Sequence, residues 1–379
     1  MNEVRFGVVG YGNIGQTHVA TLTGGAVERA RVTGVVTAGD TPLPAGVTRY
    51  ATLEDMLSVD TTDVVLIATP TMTHPNLGMD TLAAGRHLIM EKPIAMSALQ
   101  ARRLIEAVPA GVQAAVMLNQ RYHPVYREIK KIVSGGDLGR IVRFNWIMTG
   151  WYRPDVYFLV SSWRGTWPGE GGGALLNQCI HNLDVLQWVL GLPESVVADV
   201  RFGKFHEIDV EDEVTAMLSY ADGATGVVVA STGEAPGMNR LDIVGDRGTL
   251  SFDGERLSVE ISQQSVSEHC ASTREMFGVP EFVKQEVPVR AELNQHACVL
   301  QDVVDAVLDG STLATPLAEG VGSVELANAM LLSAWEERRV SLPLDAEHYQ
   351  SGLDARVAAS GFREAQTIEV HIDMDASYR

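Results

Sequence analysis

The chain is poor in cysteine and contains no long hydrophobic run. Only three of its 379 residues are cysteines, Cys179, Cys270 and Cys298, and they show no C-x-x-C or zinc-like spacing. This sparse set predicts reduced thiols in a reducing compartment rather than a disulfide framework. No apolar run is long enough to span a bilayer, and no basic segment with an apolar signal core precedes the first strand-like sequence. These absences predict a cytoplasmic protein.

Positive charge is scarce as well. The chain has 29 Lys and Arg residues against 48 Asp and Glu residues, a formal net charge of −19. Nucleic acids and anionic membranes bind basic surfaces, so this balance argues against both as partners. The length predicts two domains. Lysine is especially rare, and the chain has five: Lys92, Lys130, Lys131, Lys204 and Lys284. Lys92 stands out among them, because it lies at a predicted strand end between Glu91 and a proline.

A glycine fingerprint lies at the start of the chain. Residues 4–9 read as a short buried strand, and a helical pattern covers residues 15–22. Between them the spacing G-x-G-x-x-G permits a tight turn, a close approach of backbone to a pyrophosphate, and close packing of helix on strand. The sequence therefore predicts dinucleotide binding by Gly10, Tyr11, Gly12, Asn13, Ile14 and Gly15.

The end of the second predicted strand, residues 31–37, bears on the choice of dinucleotide. An NAD-selecting carboxylate is expected near this position, but Thr37 lies there and Asp40 follows slightly late. No arginine is close in sequence to bind a 2′-phosphate. Asp40 favours NAD without excluding NADP, and it could equally be a turn residue.

Two further strands predict the remaining cofactor contacts. Residues 63–69 form an apolar run typical of a parallel strand, and residues 87–90 form another. Ligands of open α/β sheets bind at the carboxyl ends of the strands. A predicted helix (residues 100–108) leads to a further predicted strand (residues 112–118), whose carboxyl end lies near Gln120 and Arg121. The residues at these ends that we expect to contact cofactor are Thr69, Pro70, His74, Glu91, Lys92 and Gln120, and Arg121 is expected to contact substrate.

A second glycine run, Gly171–Gly173, opens a helical pattern. On a helical wheel Leu176, Ile180, Leu183 and Leu190 share one face, and Asn177, His181 and Asp184 share the other. The pattern predicts a helix with one side in a core and a polar row on its other side. That row is either ordinary surface or a site for chemistry.

The region between residues 146 and 167 is rich in Trp and Tyr, although aromatic residues make up only 6% of the chain. Aromatic faces suit the C–H surfaces of sugars, and Arg153 and Arg164 could bind hydroxyls or a phosphate. Packing at a sheet edge or a subunit interface is the alternative. The substrate candidates here are Tyr152, Trp163 and Arg164.

The last part of the chain predicts a meander of antiparallel strands between residues 196 and 261, followed by helices over residues 293–308 and 321–338. The run 206–213 holds five carboxylates and a histidine, but its spacing predicts a solvated acidic segment and no metal site. Residues 262–290 read as an irregular insertion near the site mouth or an oligomer contact. Residues 367–373 alternate like an edge strand.

Four ordered motifs resemble the glucose–fructose oxidoreductase / inositol dehydrogenase / MocA (Gfo/Idh/MocA) family. They are G-Y-G-N-I-G (10–15), A-T-P-T-M-T-H (68–74), G-R-H-L-I-M-E-K-P (85–93) and G-G-G-A-L-L-N-Q-C-I-H (171–181), and the likeness covers nearly the whole chain. It implies an α/β fold in which an N-terminal Rossmann domain (1–122) binds NAD(P). It also implies a C-terminal α+β domain (123–379) with an open, mostly antiparallel sheet that closes the substrate site. That sheet would form homo-oligomers, dimers or tetramers.

The resemblance places Lys92 between nicotinamide and substrate, with His181 opposite. Inositol dehydrogenase-like members carry Asp four residues before that histidine, whereas this chain has Asn177, which can orient a hydroxyl but not titrate. The W-R-G-T-W run (163–167) instead resembles the branch that oxidises sugars or sugar nucleotides at a ring hydroxyl, such as UDP-N-acetyl-hexosamine or hexosaminuronate 3-dehydrogenases. Cys179 is interpreted as a packing residue.

The expected reaction is hydride transfer between a secondary ring hydroxyl, C3 favoured, and nicotinamide. His181 is the favoured proton acceptor, with Lys92 hydrogen-bonding the reacting oxygen and Asn177 orienting a neighbouring hydroxyl. The reverse assignment of Lys92 and His181 stays open. Three alternatives remain: an inositol or other cyclitol dehydrogenase, an NAD-dependent glycosidase acting through transient oxidation, and a cofactor-sensing regulator without catalysis.

Overall fold

The first third of the chain builds a parallel sheet. We describe the protein from a computed structural model that covers residues 2–289 and 293–371. The described part of the chain forms a six-stranded sheet in the order β3-β2-β1-β4-β5-β6, with every pair parallel. Its strands are β1 (Val4–Val9), β2 (Ala30–Val36), β3 (Thr48–Tyr50), β4 (Val64–Ile67), β5 (His87–Met90) and β6 (Ala114–Val116).

Helices cover both faces of this sheet, which explains the apolar strands. β4 is buried at all four positions, as expected for a parallel strand between two helical layers. The strand order reverses at β1 and β4, the point at which open α/β sheets bind ligands. The Rossmann prediction is confirmed. The helices connecting these strands are α1 (Asn13–Thr23), α2 (Leu53–Leu57), α3 (His74–Ala83) and α4 (Ala98–Glu106).

The second sheet is mostly antiparallel. Its order is β14-β13-β12-β11-β7-β10-β9-β8-β15, and β7 with β10 is its parallel pair. The predicted open mixed sheet is therefore confirmed. The strands are β7 (Ile141–Met148), β8 (Ser195–Phe202), β9 (Glu211–Ser219), β10 (Thr225–Ser231), β11 (Asn239–Gly245), β12 (Gly248–Phe252), β13 (Leu257–Ile261), β14 (Val283–Glu286) and β15 (Val340–Ser341).

Helices pack on one face of the second sheet and form the largest core. In β9, the inward residues Val214, Ala216 and Leu218 are buried and alternate with more exposed ones, because successive side chains of a strand point to opposite faces. The last helix of the chain contributes Tyr349 and Leu353 to the same core. The helices of this region are α5 (Pro124–Gly135), α6 (Asp155–Leu159), α7 (Trp167–Glu170), α8 (Ile180–Leu190), α9 (Val266–Ser272), α11 (Gly320–Glu336) and α12 (Ala346–Ala359).

One late helix returns to the first sheet. α10 (Gln295–Asp309) packs Val299, Leu300 and Val303 into the core formed by β1, β2 and β4. The core of the nucleotide-binding half is thus completed by residues far down the chain. The division of the chain at residues 122 and 123 stays a prediction, and core contacts cross it.

Several sequence predictions are corrected by the fold. The stretch 262–289 is only partly irregular, because α9 lies within it and β14 pairs with β13 at the edge of the second sheet. Residue 290 of that predicted stretch lies outside the described range. Residues 367–371 form no strand, and residues 372 and 373 of that predicted edge strand lie outside the described range. None of the described helices is both long and apolar enough to cross a membrane.

The acidic run 206–213 is only partly solvated, since Glu207 and Asp209 are exposed but the next two carboxylates are not. Glu211 and Asp212 are fully buried, and both accept hydrogen bonds from backbone amides. Asp212 binds the amides of Lys204 and Phe205, which closes the turn before β9. The prediction was wrong for Glu211 and Asp212 because these amides come from the chain's own tight turn and from the glycine run, which alternation along a strand does not reveal. Within the described ranges, no group of three or more His, Cys, Asp or Glu side chains is arranged to hold a metal ion.

The glycine-run helix also differs from its prediction. Residues Ala174–Gln178 form a π-helical turn, and the α-helix α8 begins only at Ile180. The wider turn breaks the 3.6-residue period, so Asn177 does not lie on the α-helix that carries His181. α8 is also buried on both sides, since Asp184 is as buried as Leu183. A single π turn within helical sequence is frequent at functional sites.

Candidate active site

The first turn of the chain forms a cradle for a dinucleotide. Gly10 has φ +93°, and a Cβ there would lie 2.6 Å from the carbonyl oxygen of Ala68 on the neighbouring strand connection. A Cβ on Gly15 would collide with the carbonyl of Gly10. Both positions therefore require glycine, for the turn and for the approach of α1 to β1.

The N-terminus of α1 fits the phosphates of such a ligand. Gly12 caps this helix without a side-chain hydrogen bond, and the first turn carries no acidic residue. A Cβ on Gly12 would meet nothing within 4 Å, so the space above the cap is open. Free helix amides facing open space bind anions. The flanking side chains of Tyr11 and Ile14 instead pack on the core of this domain.

The end of β2 holds an arginine that the sequence did not suggest. Arg49 on β3 donates through Nη2 to the carbonyl oxygen of Thr41 at 2.6 Å, and through Nη1 to that of Gly39. No arginine is close in sequence to this loop, but β3 pairs with β2 and brings Arg49 to the loop after Thr37, where it binds backbone carbonyls. Asp40 is exposed in the same loop.

The loop after β4 is tied to the turn after β5. His74 is 1% exposed, and its ring nitrogens lie 2.8 Å from the carbonyl oxygen of Thr69 and 2.7 Å from that of Pro93. Both nitrogens are committed to backbone, so the prediction that His74 contacts cofactor is corrected. His74 instead supports the half-buried Thr69 and Pro70 and the turn that carries Lys92.

A buried ion pair lies beneath this turn. Glu91 Oε1 is 2.6 Å from Nε2 of His18 on α1, and its other oxygen accepts from the amide of Lys92 at 3.1 Å. Burial alone would raise the pKa of Glu91, but the hydrogen bond and charge of His18 outweigh it and lower the pKa to about 2. His296 of α10 packs edge-on against His18, with ring centroids 5.4 Å apart. Glu91 thus acts within the protein, which corrects its prediction as a direct cofactor contact.

Lys92 leaves this turn and reaches the second domain. Its Nζ donates to the backbone oxygen of Asn177 at 2.8 Å. Burial lowers the pKa of Lys92; the charge of Glu91 opposes this shift, and the nearby charge of Arg153 adds to it. The scarce lysine and the glycine-run segment, both singled out by the sequence, therefore meet.

His181 lies in the first turn of α8 and is 9% exposed. Burial lowers the pKa of its imidazole well below the usual value, and the charge of Lys92 adds to that effect. Its Nδ1 is buried and has no hydrogen-bond partner among the described residues. A neutral imidazole beside a lysine is an arrangement that can accept a proton.

Asn177 joins Lys92 to a carboxyl that the sequence did not suggest. Its Nδ2 donates to Tyr157 Oη at 3.1 Å and to Oε1 of Glu170. Glu170 is 3% exposed, and its Oε2 accepts from the amide of Gly165 at 2.6 Å. Burial raises the pKa of Glu170 to about 7. The signal that could have identified Glu170 is its position immediately before the glycine run, which keeps it close to the π turn that contains Asn177.

Two arginines flank Tyr157 in this region. The guanidinium of Arg164 lies 4.4 Å from the centroid of the Tyr157 ring, and that of Arg153 lies 5.4 Å from it. Arg164 also lies 4.9 Å from the ring of the half-buried Trp163. Tyr152, by contrast, is 48% exposed. The structure therefore brings Trp163 and Arg164 together with Asn177 through Tyr157, and it does not bring Tyr152 to this cluster.

Arg121 has a structural role instead of the predicted substrate contact. It is 3% exposed and binds both oxygens of Asp184, at 2.8 and 2.7 Å, while also pairing with Glu319. Its donors are thus directed at carboxylates that hold α8 against the short turn Asn119–Tyr122. Gln120 is half-buried in that turn. Asp184 is therefore a partner within the fold rather than a member of a polar row.

The parts of the site define a class of protein. A dinucleotide cradle lies at the switch point of a parallel sheet, and a lysine from the same sheet meets a histidine and an asparagine of the second domain. This combination defines a nicotinamide-dependent oxidoreductase. The family model described as an oxidoreductase family with an NAD-binding Rossmann fold matches residues 4–118, and that of the GFO/IDH/MocA C-terminal domain matches residues 126–251. The chain belongs to the Gfo/Idh/MocA family, and it is an NAD-dependent dehydrogenase acting on CH–OH groups.

Similar proteins include dehydrogenases named for different substrates. Inositol 2-dehydrogenase of Rhizobium meliloti is 25% identical over 89% of this chain and 99% of its own length. Levoglucosan dehydrogenase of Pseudarthrobacter phenanthrenivorans is 26% identical over 74% of this chain and 80% of its own. The crystal structure of the WlbA dehydrogenase from Bordetella pertussis, in complex with NADH and UDP-GlcNAcA, is 28% identical, with a TM-score of 0.75 over 90% of this chain and 100% of that one.

Proposed function

We propose that the protein oxidises a secondary ring hydroxyl of a sugar, glycoside or sugar nucleotide, with C3 as the favoured position. One observation carries the proposal: the half-buried Lys92 reaches across the domains to Asn177, beside a buried, neutral His181. Bound NAD supplies the hydride acceptor for the carbinol hydrogen. Gly10, Gly12 and the first amides of α1, at Asn13 and Ile14, form the cradle that holds its phosphates.

His181 takes the hydroxyl proton. Its imidazole is neutral at the working pH, because burial and the charge of Lys92 lower its pKa, so it offers a lone pair. The neighbouring positive charge also discourages a second proton from binding before substrate arrives. His181 therefore begins each oxidation as a base and returns its proton in the reverse reaction.

Lys92 stabilises the charge that develops on the reacting oxygen. Its Nζ is fixed by the backbone oxygen of Asn177 at 2.8 Å, which leaves further ammonium hydrogens free to bind an alkoxide. Glu91 lies behind it and is committed to His18, so it supplies a fixed negative charge. This charge favours the protonated lysine, which supports Lys92 as the hydrogen-bond donor and His181 as the base.

The substrate side is suited to a polar ring. Arg153 and Arg164 stack on the ring of Tyr157, and Arg164 also stacks on Trp163. The rings hold these guanidinium groups, which can bind hydroxyl, carboxylate or phosphate oxygens. Asn177 orients a hydroxyl beside the reacting one. The relative complexed with UDP-GlcNAcA supports a sugar-nucleotide substrate, and the levoglucosan dehydrogenase supports a free sugar.

The test is a spectrophotometric assay of NADH formation with free sugars, glycosides, sugar nucleotides and inositols, each with NAD and with NADP. The best substrate is then prepared with deuterium at C3. We expect a primary isotope effect and deuterium in the reduced nicotinamide. Transfer from another labelled carbon would contradict C3, and an absence of NADH formation with every sugar would contradict the proposal. Net cleavage of a glycoside without added NAD would instead identify a glycosidase.

Cyclitol oxidation is the second candidate. Asn177 argued against it because an amide cannot titrate, but the structure places the carboxyl of Glu170 on that amide. The site thus retains a titratable carboxyl near the position where inositol dehydrogenase-like members carry one. Turnover of inositols in the same assay, above that of every sugar, would favour this candidate.

We also propose a homo-oligomer formed through the open face of the second sheet. Val197 of β8 and Met217 of β9 are directly paired and are 36% and 58% exposed. Exposed apolar side chains on a sheet face support an interface. Light scattering of the purified protein distinguishes monomer, dimer and tetramer.

A further inference from the structure

Glu170 is a buried carboxyl that the proposed reaction does not use. It ends α7, and both of its oxygens are engaged: Oε2 accepts from the amide of Gly165, and Oε1 accepts from Nδ2 of Asn177. Its hydrogen-bond donors are neutral groups. Burying a carboxyl beside neutral donors is costly, and such an arrangement in a cleft is a frequent sign of function.

The contacts of Asn177 show what this carboxyl does. A carboxamide has two N–H donors on nitrogen and one acceptor oxygen. Nδ2 is directed at Glu170 and at Tyr157 Oη, so its hydrogens are taken. No described residue donates to Oδ1. The backbone oxygen of the same residue holds Lys92. Asn177 therefore has one free polar side-chain atom, and this atom is an acceptor.

We propose that Glu170 is a positioning residue that fixes the Asn177 carboxamide with Oδ1 available to accept a hydrogen bond from the substrate. The inference rests on the proposed function, since it names how that site reads a hydroxyl neighbouring the reacting one. An ionised carboxylate accepts hydrogen bonds and cannot donate them. It therefore admits only the orientation of Asn177 in which nitrogen faces Glu170.

Protonation of Glu170 reverses this constraint. Oε2 faces the N–H of Gly165, so an added proton lies on Oε1 and points at Asn177. The amide must then rotate to present its oxygen to Glu170, and the substrate meets N–H donors instead. Burial raises the pKa of Glu170 to about 7; Arg164 and the two hydrogen bonds oppose this shift, and Glu211 adds to it. The positive charge of Lys92 also faces this carboxyl.

This mechanism predicts an acidic limb in kcat/KM near pH 7 that belongs to Glu170. His181 does not produce it, because the pKa of that imidazole lies well below its usual value. The substitution E170Q imitates the protonated state, since the new amide nitrogen faces Asn177 when the amide oxygen accepts from Gly165. We expect kcat/KM to fall about 10- to 100-fold, as is typical when the orientation of a catalytic group is lost, and the limb to disappear.

A reciprocal substitution separates positioning from simple packing. In the double variant E170Q/N177D, the new amide at position 170 donates to a carboxylate at position 177, whose second oxygen faces the substrate as an acceptor. The double variant should be more active than the product of the two single effects predicts. Glu211→Gln is the matched control, because Glu211 is equally buried, has a pKa raised to about 7, and binds the amides of Gly173 and Leu175 instead of Asn177.

The closing experiment needs no substrate. The side-chain amides are labelled with ¹⁵N, and the Asn177 resonance, identified by its loss in N177D, is followed from mildly acidic to mildly alkaline pH. We expect it to titrate near pH 7 in the wild type, at a lower pH in E211Q because the charge of Glu211 no longer raises the pKa of Glu170, and to be flat in E170Q. A flat wild-type titration, or an E170Q variant with unchanged kcat/KM and pH profile, would overturn the inference. If the wild type titrates but oxidises no sugar or cyclitol, the proposed function fails and the Glu170–Asn177 linkage stands.

Discussion

The two sides of Lys92 each bury a glutamate, and the two carboxyls differ in charge. Glu91 on the nucleotide side is 6% exposed and Glu170 on the substrate side is 3% exposed, so burial raises the pKa of both. Glu91 nevertheless has a pKa of about 2, because His18 lies 2.6 Å away. Glu170 has only neutral donors, and its pKa is about 7. The partner of a buried carboxyl, and not its burial, decides its charge.

The difference in pKa between Glu91 and Glu170 is consistent with the different ligands that the two sides of the site bind. The nucleotide side binds the same cofactor in every cycle, and a permanently ionised Glu91 keeps the turn before Lys92 in one electrostatic state. The substrate side must recognise hydroxyl groups. Because the pKa of Glu170 is about 7, its protonation near neutral pH can decide whether Asn177 turns its oxygen or its nitrogen towards the substrate. One half of the site is therefore fixed in charge, while the other half responds to pH.

The largest expected effect comes from removing the residues at which the two sides meet. Lys92→Ala and His181→Ala should each lower kcat by about 1,000-fold or more, because the first variant loses alkoxide stabilisation and the second loses proton transfer. Binding of NADH, followed by fluorescence titration, should stay near the wild-type value, since the cradle at Gly10 and Gly12 is untouched. A variant that kept wild-type turnover would show that its residue has no role in the chemistry.

The second prediction removes the partner that distinguishes the two carboxyls. His18→Leu leaves Glu91 buried with the amide of Lys92 as its remaining donor, so the pKa of Glu91 should rise and resemble that of Glu170. At neutral pH the free energy of unfolding should fall by about 3–5 kcal/mol, the usual cost of breaking a buried pair. Urea unfolding measures this change.

The control for that variant carries glutamine at position 91 as well. His18→Leu/Glu91→Gln leaves no buried charge, so it should be more stable than His18→Leu alone. Equal stabilities of the two variants, or a His18→Leu protein as stable as the wild type, would mean that the ion pair does not set the charge of Glu91.

The smallest effect is a difference in pH dependence. The folded-state pKa of Glu170, about 7, exceeds its unfolded value of 4.5, so its contribution to stability is present below pH 4.5 and is lost as pH rises through 7. The pKa of Glu91, about 2, lies below 4.5, so its contribution is present above pH 4.5 and is lost as pH falls through 2. Each shift corresponds to about 3 kcal/mol.

Urea unfolding of E91Q and E170Q at several pH values measures both contributions. Relative to E170Q, the wild type should lose stability as pH rises from about 5 to about 7. Relative to E91Q, it should lose stability only below about pH 5. If the stability difference between wild type and variant changed in the same direction with pH for E91Q and E170Q, the proposed contrast between Glu91 and Glu170 would be wrong.

Much of the fold was predictable because it is encoded locally. The strand before Gly10, the apolar run of β4 and the alternation in the second sheet each follow from periodicity over a few residues. Lys92 was identified by its rarity and its motif, and His181 by its motif. The polar row of Asn177, His181 and Asp184 was wrong, since a π turn interrupts the helix that the wheel assumes.

The partners of these residues were not predictable in the same way. Glu170 looks like a surface charge before a glycine run, and His18 looks like one more position on α1. Arg121 was assigned to substrate because its chain neighbours end a strand, but Asp184, 63 positions away, occupies it. Arg49 reaches the end of β2 only because β3 pairs there.

The sequence by itself determined the class of fold and the dinucleotide-binding motif, and it singled out Lys92 and His181 as candidates, because motifs and periodicity are properties of neighbouring residues. Only the tertiary structure decided which groups are charged. A pKa depends on burial and on charges within a few ångströms, and these are supplied by residues distant in the chain. Lys92 and Asn177, 85 positions apart, meet in one hydrogen bond, and the glutamates on either side of that bond differ in charge because one has an imidazole partner and the other an amide.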